Sequence, residues 1–247
     1  MNDPQETSGW ERTTLEKLLL SQLEEQRFAR RWKLVFRFAW LLLAVVVIWF
    51  GLHRAGSSAD TILPHTALIE IRGEIGAGTE TDAEDVLDAL REAFEDEGAK
   101  AVVLRVNSPG GSPVHAGLIN DEIRRLKVKH EKPVFAVVEE SAASAAYYIA
   151  VAADRIYVDK ASIVGSIGVL MDGFGFTGIM DKLGVERRLL TAGENKGMLD
   201  PFSPLSKTQR AHAQAMLDQI HQQFIAVVRE GRGERLKETA DTFSGLF

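Results

Sequence analysis

Apolar and polar positions divide the chain into two regimes. Leu34 to Leu52, LVFRFAWLLLAVVVIWFGL, carries no charge after Arg37. A soluble helix has no need to be apolar on every face, and the run is long enough to cross a bilayer. Trp32, Trp40 and Trp49 suit the interfacial belts, and Arg37 can snorkel to the surface. The pattern predicts a transmembrane anchor over 34–53. Ahead of it, in 1–33, Thr13-Thr14-Leu15-Glu16 reads as a capping box opening a helix with a stripe of Leu15, Leu18, Leu19 and Leu23. Residues 54–65 read as a linker.

From 66 to 247 the pattern changes to short β-branched runs alternating with helical periods. Strands are expected at Ala67–Arg72, Ala101–Val106, Val134–Val138, Arg155–Val158, Ile167–Met171 and Val185–Leu190. Helices are expected at Thr81–Glu97, from about Val114 to Lys127, and at Ser206–Glu230, the last stopped by Gly231. Strands separated by helices imply an α/β domain with a largely parallel sheet.

Charge adds orientation and exclusion. Arg27, Arg30, Arg31, Lys33 and Arg37 crowd the N-terminal side of the apolar run, against His53 and Arg54 beyond it. The positive-inside rule then puts the N-terminus in the cytoplasm and the α/β domain across the membrane. The formal charge of the 247 residues is −6 and no basic stripe is interleaved with aromatics, which argues against nucleic acid as a partner. Cysteine is absent, so thiol catalysis, disulfides and cysteine-ligated zinc are excluded. No His/Asp/Glu cluster has metal-ligand spacing.

Candidate chemistry collects at strand ends. Val137–Asp154, VVEESAASAAYYIAVAAD, runs from a strand through small residues into an alanine-rich helix. Such a junction presents a serine hydroxyl beside helix N–H groups, which makes Ser144 a nucleophile candidate. Tight packing of small residues explains the same stretch equally well. About thirty residues earlier, Asn107-Ser108-Pro109-Gly110-Gly111-Ser112 follows another strand. Paired glycines there allow positive φ and leave N–H groups unshielded, as an oxyanion hole requires, although an ordinary Pro-Gly turn looks the same. Successive strand ends of a parallel sheet fall on one edge, which brings the two stretches together.

A serine needs a base. Lys196, in the loop TAGENKGMLDPF, is followed by an apolar segment able to desolvate it and lower its pKa. His115 is a second candidate, without an evident acid to orient it. Gly173–Gly178 formally matches G-x-G-x-x-G, but phenylalanines fill the turn and no ribose-binding acid follows, so it reads as a loop near the active edge.

Four motifs in order, NSPGGS, ES-AAS-AAYYIAVAAD, ASIVGSIGV and TAGENKGMLDPFSPLS, resemble the signal peptide peptidase A family of membrane-anchored serine proteases, serine peptidase family S49. The resemblance runs from about Ala67 to the C-terminus. It implies a Clp protease/crotonase-type fold behind the anchor, with Ser144 as nucleophile and Lys196 as general base. It also implies Gly111 and Ala145 as oxyanion-hole donors, and Ser166 as the residue that positions the lysine. No metal or cofactor is implied. Family members of this length share each active site between neighbouring protomers, which implies a homo-oligomer, and they act on signal peptide remnants or unfolded segments at the membrane. The implied location is the bacterial inner membrane, with the catalytic domain periplasmic.

Two departures stand out. The family has Ser-Gly-Gly where this chain has Ser144-Ala145-Ala146, and its members continue with further sheet and helix beyond the position of Phe247, so the domain reads as C-terminally incomplete. If positive φ were needed at 145 or 146, each methyl would cost on the order of a kcal/mol. A catalytically impaired peptide-binding scaffold, or a crotonase-type acyl-CoA enzyme, fits the same residues as alternatives.

Overall fold

The computed structural model describes residues 36–49 and 63–247. Residues 36–49 form helix α1, with every side chain exposed. The remainder of the expected anchor, the 1–33 segment with its capping box and most of the linker lie outside the described residues. Among the described residues no helix is long and apolar enough to cross a membrane.

The second unit is a parallel α/β domain. Its strands are β1 (His65–Ile75), β2 (Ala99–Gly111), β3 (Val134–Ala143), β4 (Arg155–Tyr157) and β5 (Ile163–Gly165). Its helices are α2 (Ala83–Glu95), α3 (Pro113–His130), α4 (Ala145–Ala150), α5 (Thr177–Leu183) and α6 (Lys207–Arg232). The sheet order is β1-β2-β3-β4, with every pairing parallel. β3 divides its pairing along its length: Phe135–Val137 bond β4, and Ser141–Ala143 bond β5.

Alternation decides which face is covered. Ile69 and Ile71 of β1, Val102, Leu104 and Val106 of β2, and Val134, Ala136 and Val138 of β3 point into one core. Helices α2 to α4 close it with Leu90, Phe94, Ile119, Ile123 and Ile149. Caps set the helix starts. The Asp82 carboxylate accepts from Gly78 N–H and from Glu84 N–H, and these bonds hold its carboxyl below the usual range. Ser112 caps α3 ahead of Pro113 at N1, and Ser206 with Gln209 forms a capping box on α6.

Three expectations are corrected. Ile167–Met171 and Val185–Leu190 are not strands; neither has a ladder partner among the described residues. α6 continues through Gly231 to Arg232, with Gly233 as its C-cap. Gly231 serves close packing instead, since a methyl there would stand 2.2 Å from the Val151 carbonyl oxygen.

Residues 170–206 bury little. α5 has no buried residue, and Phe174 and Leu190 are 81% and 95% exposed. A small satellite organises part of the segment. Phe176 stacks on Phe202 with centroids 5.5 Å apart, and Phe176 N–H donates to Pro201 O at 2.8 Å.

Candidate active site

The glycine turn ends β2, held to β1 by Ser108. Its buried hydroxyl donates to Gly73 O at 2.6 Å and accepts from Gly110 N–H at 3.1 Å. Gly110 and Gly111 adopt φ +110° and +149°. Their neighbours differ. A methyl on Gly111 would sit 2.1 Å from Ile75 O, whereas one on Gly110 would meet Ala143 O and Ser144 Cβ, each at 2.8 Å, and Ala145 N at 3.1 Å. The glycine turn and the Ser144 junction are therefore packed backbone against backbone, as their places on one sheet edge required.

Ser144 sits between β3 and α4 with φ +53° and ψ −121°, a sparsely populated conformation for a residue with a side chain. It occupies the N-cap of α4, where a serine normally accepts a bond from the helix. Here the hydroxyl makes no such bond. Its backbone is held at both ends, Ser144 N–H donating to Gly165 O at 2.9 Å and Tyr148 N–H donating to Ser144 O at 3.0 Å. A sharp strand-to-helix turn with a strained, uncommitted serine is the arrangement of a nucleophile elbow. Ala145 and Ala146 are buried, helical and outside the positive-φ set, so their methyls carry no backbone strain. Ala145 N–H, first in the helix, has no intrahelical acceptor.

Ser166 lies just past β5 with φ +50°, and its N–H donates to Leu246 O at 2.8 Å. His221 of α6 bonds the next carbonyl, Ile167 O, at 3.0 Å. Lys196 is exposed in the loop after residue 190, and its side chain makes no hydrogen bond or ion pair with a described residue. Among the described residues, none offers a base that hydrogen-bonds the Ser144 hydroxyl. His115 is committed elsewhere: its Nδ1 accepts from Ala83 N–H at 3.2 Å, at the start of α2. Burial pushes the Tyr147 and Tyr148 phenols up, which keeps both neutral near pH 7. No group of three or more His, Asp or Glu among the described residues is placed to hold a metal ion.

The Gly173–Gly178 loop ends in α5, whose seven residues begin at Thr177 behind an exposed Phe174. Of the paired glycines the family resemblance named Gly111, whereas Gly110 is the one packed against Ser144. Asn120 was also missed; its only signal was an amide on the buried face of α3, four positions before Arg124.

Residues 126–245 match the family model described as peptidase family S49. A Na(+)/H(+) antiporter NhaA of Brucella abortus is 49% identical over 158 residues, 64% of this chain and 22% of that protein. A putative signal peptide peptidase SppA of Enterococcus faecium is 32% identical over 161 residues, 64% of this chain and 46% of that one. Among solved structures, a mutant of ClpP1 from Listeria monocytogenes aligns over 76% of this chain and 80% of its own, at 16% identity and a TM-score of 0.43. The chain thus spans about a fifth of the first relative and just under half of the second.

Proposed function

Through residues 126–245 the chain belongs to peptidase family S49, and on that premise we propose that it is a serine endopeptidase anchored in the bacterial inner membrane by residues 34–53. The single observation that carries the proposal is Ser144: strained at φ +53°, uncommitted at the head of α4, and backed by Gly110.

In this reading the Ser144 Oγ attacks the scissile carbonyl and Lys196 accepts its proton. The oxyanion rests on the N–H groups of Gly111 and Ala145. Collapse of the tetrahedral intermediate expels the amine, which takes a proton from Lys196, and water then hydrolyses the acyl-serine by the same route. Ser166 orients the lysine. The reaction so written uses no metal or cofactor.

Lys196 belongs to a neighbouring protomer. That reading rests on its exposure and on the segment that carries it, where Phe174, Leu183 and Leu190 leave apolar surface uncovered. A second copy covering this segment would supply the base that Ser144 lacks. The fold fits the Clp protease/crotonase type through its parallel sheet and glycine turn. The anchor is supported by the uncharged run from Phe38 to Leu52 and by the apolar side chains exposed on α1. The basic flank before it keeps the N-terminus cytoplasmic and the catalytic domain periplasmic. Substrates are then signal peptide remnants, the class in the printed name of the Enterococcus relative, or unfolded segments at the membrane.

The test is hydrolysis of an unstructured fluorogenic peptide by the full chain in detergent, beside Ser144→Ala and Lys196→Ala. Both variants should lose turnover while keeping the wild-type circular dichroism spectrum. Full activity in either removes that residue from the mechanism. An inert wild type whose Ser144 resists a fluorophosphonate probe would identify a peptide-binding scaffold instead.

A further inference from the structure

The elbow carries strain that its own helix is too short to hold. α4 has six residues, and nothing in so short a helix holds Ser144 at positive φ by itself. Its last four carbonyls all need partners. Val151 N–H takes Tyr147 O, Ala152 N–H takes Ile149 O, and Ala153 N–H takes Ala150 O, each from the following turn. The fourth, Tyr148 O, is bonded from outside the helix. Asn120 Nδ2 donates to it at 2.7 Å.

Asn120 is an unusual residue for its place. It is fully buried on α3, beside Ile119 and Ile123 in the core. A buried amide is costly unless both ends are satisfied. Here they are: Asn120 Oδ1 accepts from Arg124 Nε at 2.7 Å. That bond also settles the orientation of the amide, because Arg124 is a donor only and must face the oxygen. Arg124 is fixed in turn by Glu230 of α6, with Nη1 2.6 Å from the carboxylate. A continuous polar chain therefore runs from α6 through Glu230, Arg124 and Asn120 to Tyr148, whose own N–H holds Ser144 O.

We infer that Asn120 is a positioning residue for the nucleophile: through the Tyr148 carbonyl it holds α4 in the register that keeps the Ser144 hydroxyl at its reacting position, with Arg124 aiming its amide. The inference rests on Ser144 being the nucleophile. Asn120 touches neither substrate nor the reacting atoms. Losing its bond lets α4 slide or rotate by about one ångström, enough to spoil attack geometry while the groove that binds the peptide stays intact.

Asn120→Asp isolates this role, because aspartate keeps the shape and the partner Arg124 but offers the Tyr148 carbonyl no hydrogen. In full-chain protein, kcat on the fluorogenic peptide should fall by roughly a hundredfold, the size expected for a displacement near one ångström, with KM unchanged. Fluorophosphonate labelling of Ser144 should slow in parallel. Asn120→Ala should do the same with a lower melting point. Arg124→Met, at a partly exposed site, should give a smaller loss of kcat. Wild-type kcat in folded Asn120→Asp overturns the inference, as does a rise in KM at constant kcat. So does a loss no larger than the unfolded fraction seen by circular dichroism. Should Asn120→Asp fail to fold, wild-type kcat in Arg124→Met overturns it. Ser144→Ala in the same assay separates the two ideas: if it remains active, the nucleophile reading fails, whatever Asn120 does.

Discussion

Gly110→Ala drives a methyl into the back of the elbow. The new carbon would lie 2.8 Å from both Ala143 O and Ser144 Cβ, with φ at +110°. Carbon atoms in contact settle at about 3.5–4.0 Å, so Ser144 Cβ must retreat by roughly 0.7 Å or more. The obstacles are backbone and the Ser144 Cβ, so no flexible side chain can yield. Backbone strain at this φ costs about 1–3 kcal/mol, and overpacking costs about 1–3 kcal/mol more. A domain stable by about 5–15 kcal/mol remains folded at 25 °C, with its midpoint lowered by about 2–4 °C per kcal/mol. Catalysis suffers more, because a displacement of that size costs on the order of a hundredfold in rate. The assay is peptide turnover beside thermal melting by far-ultraviolet circular dichroism. Gly117→Ala is the control: it lies inside α3, and its added methyl meets nothing within 4 Å. It should be neutral or stabilise by about 0.5–1 kcal/mol. If Gly110→Ala turns over peptide at the wild-type rate, the contact between the glycine turn and the nucleophile has no catalytic weight.

Ser144→Gly removes both the hydroxyl and the strain at φ +53°, so hydrolysis should vanish while the melting point rises by an amount worth about 1 kcal/mol; a fall would mean that position 144 is unstrained. An equal mixture of Ser144→Ala and Lys196→Ala chains, unfolded and reassembled together, should recover about a quarter of wild-type activity, because random neighbours pair a good serine with a good lysine at that frequency. No recovery would place both residues of a site in one protomer. At acid pH the Glu122 carboxylate matters. Hydrogen bonds from Arg125 at 2.6 and 2.8 Å, then one from Arg91 at 3.0 Å, outweigh its burial and bring it from 4.5 to about 2. A depressed carboxylate contributes its stability above the unfolded value and loses it as pH falls through the folded one. Glu122→Gln should therefore flatten the acid limb of the melting curve between pH 4.5 and 2, and an unchanged limb would show that the three-residue pairing contributes nothing.

Strands whose partners were also readable were legible from sequence. The alternation of Ala101–Val106 became the centre of β2, because β1 and β3 carry matching buried residues opposite it. Ile167–Met171 and Val185–Leu190 also read as strands and formed none. Composition records a preference for a pleated surface and says nothing of whether a neighbour exists to supply one. The strand-to-helix junction at Ser144 was legible because a β-branched run gives way there to an alanine-rich one. Gly110 and Gly111 were not separable, since adjacent glycines differ only in which neighbour they face. Asn120 was illegible for a different reason. Its partner is a carbonyl, and a main-chain acceptor leaves no trace in the residue that carries it.

The bond from Ser166 N–H to Leu246 O joins positions about eighty residues apart. A ribosome adding about 5–20 residues per second needs roughly 4–16 s to cover that interval. Throughout it, the Ser166 turn lacks its far-side acceptor, although Ser144 and Gly110 have already been made. The emerging chain thus carries the Ser144 junction before it can finish that junction's surroundings. Synthesis order thus leaves the Ser166 turn waiting on its main-chain acceptor until the last residues of the sequence are made.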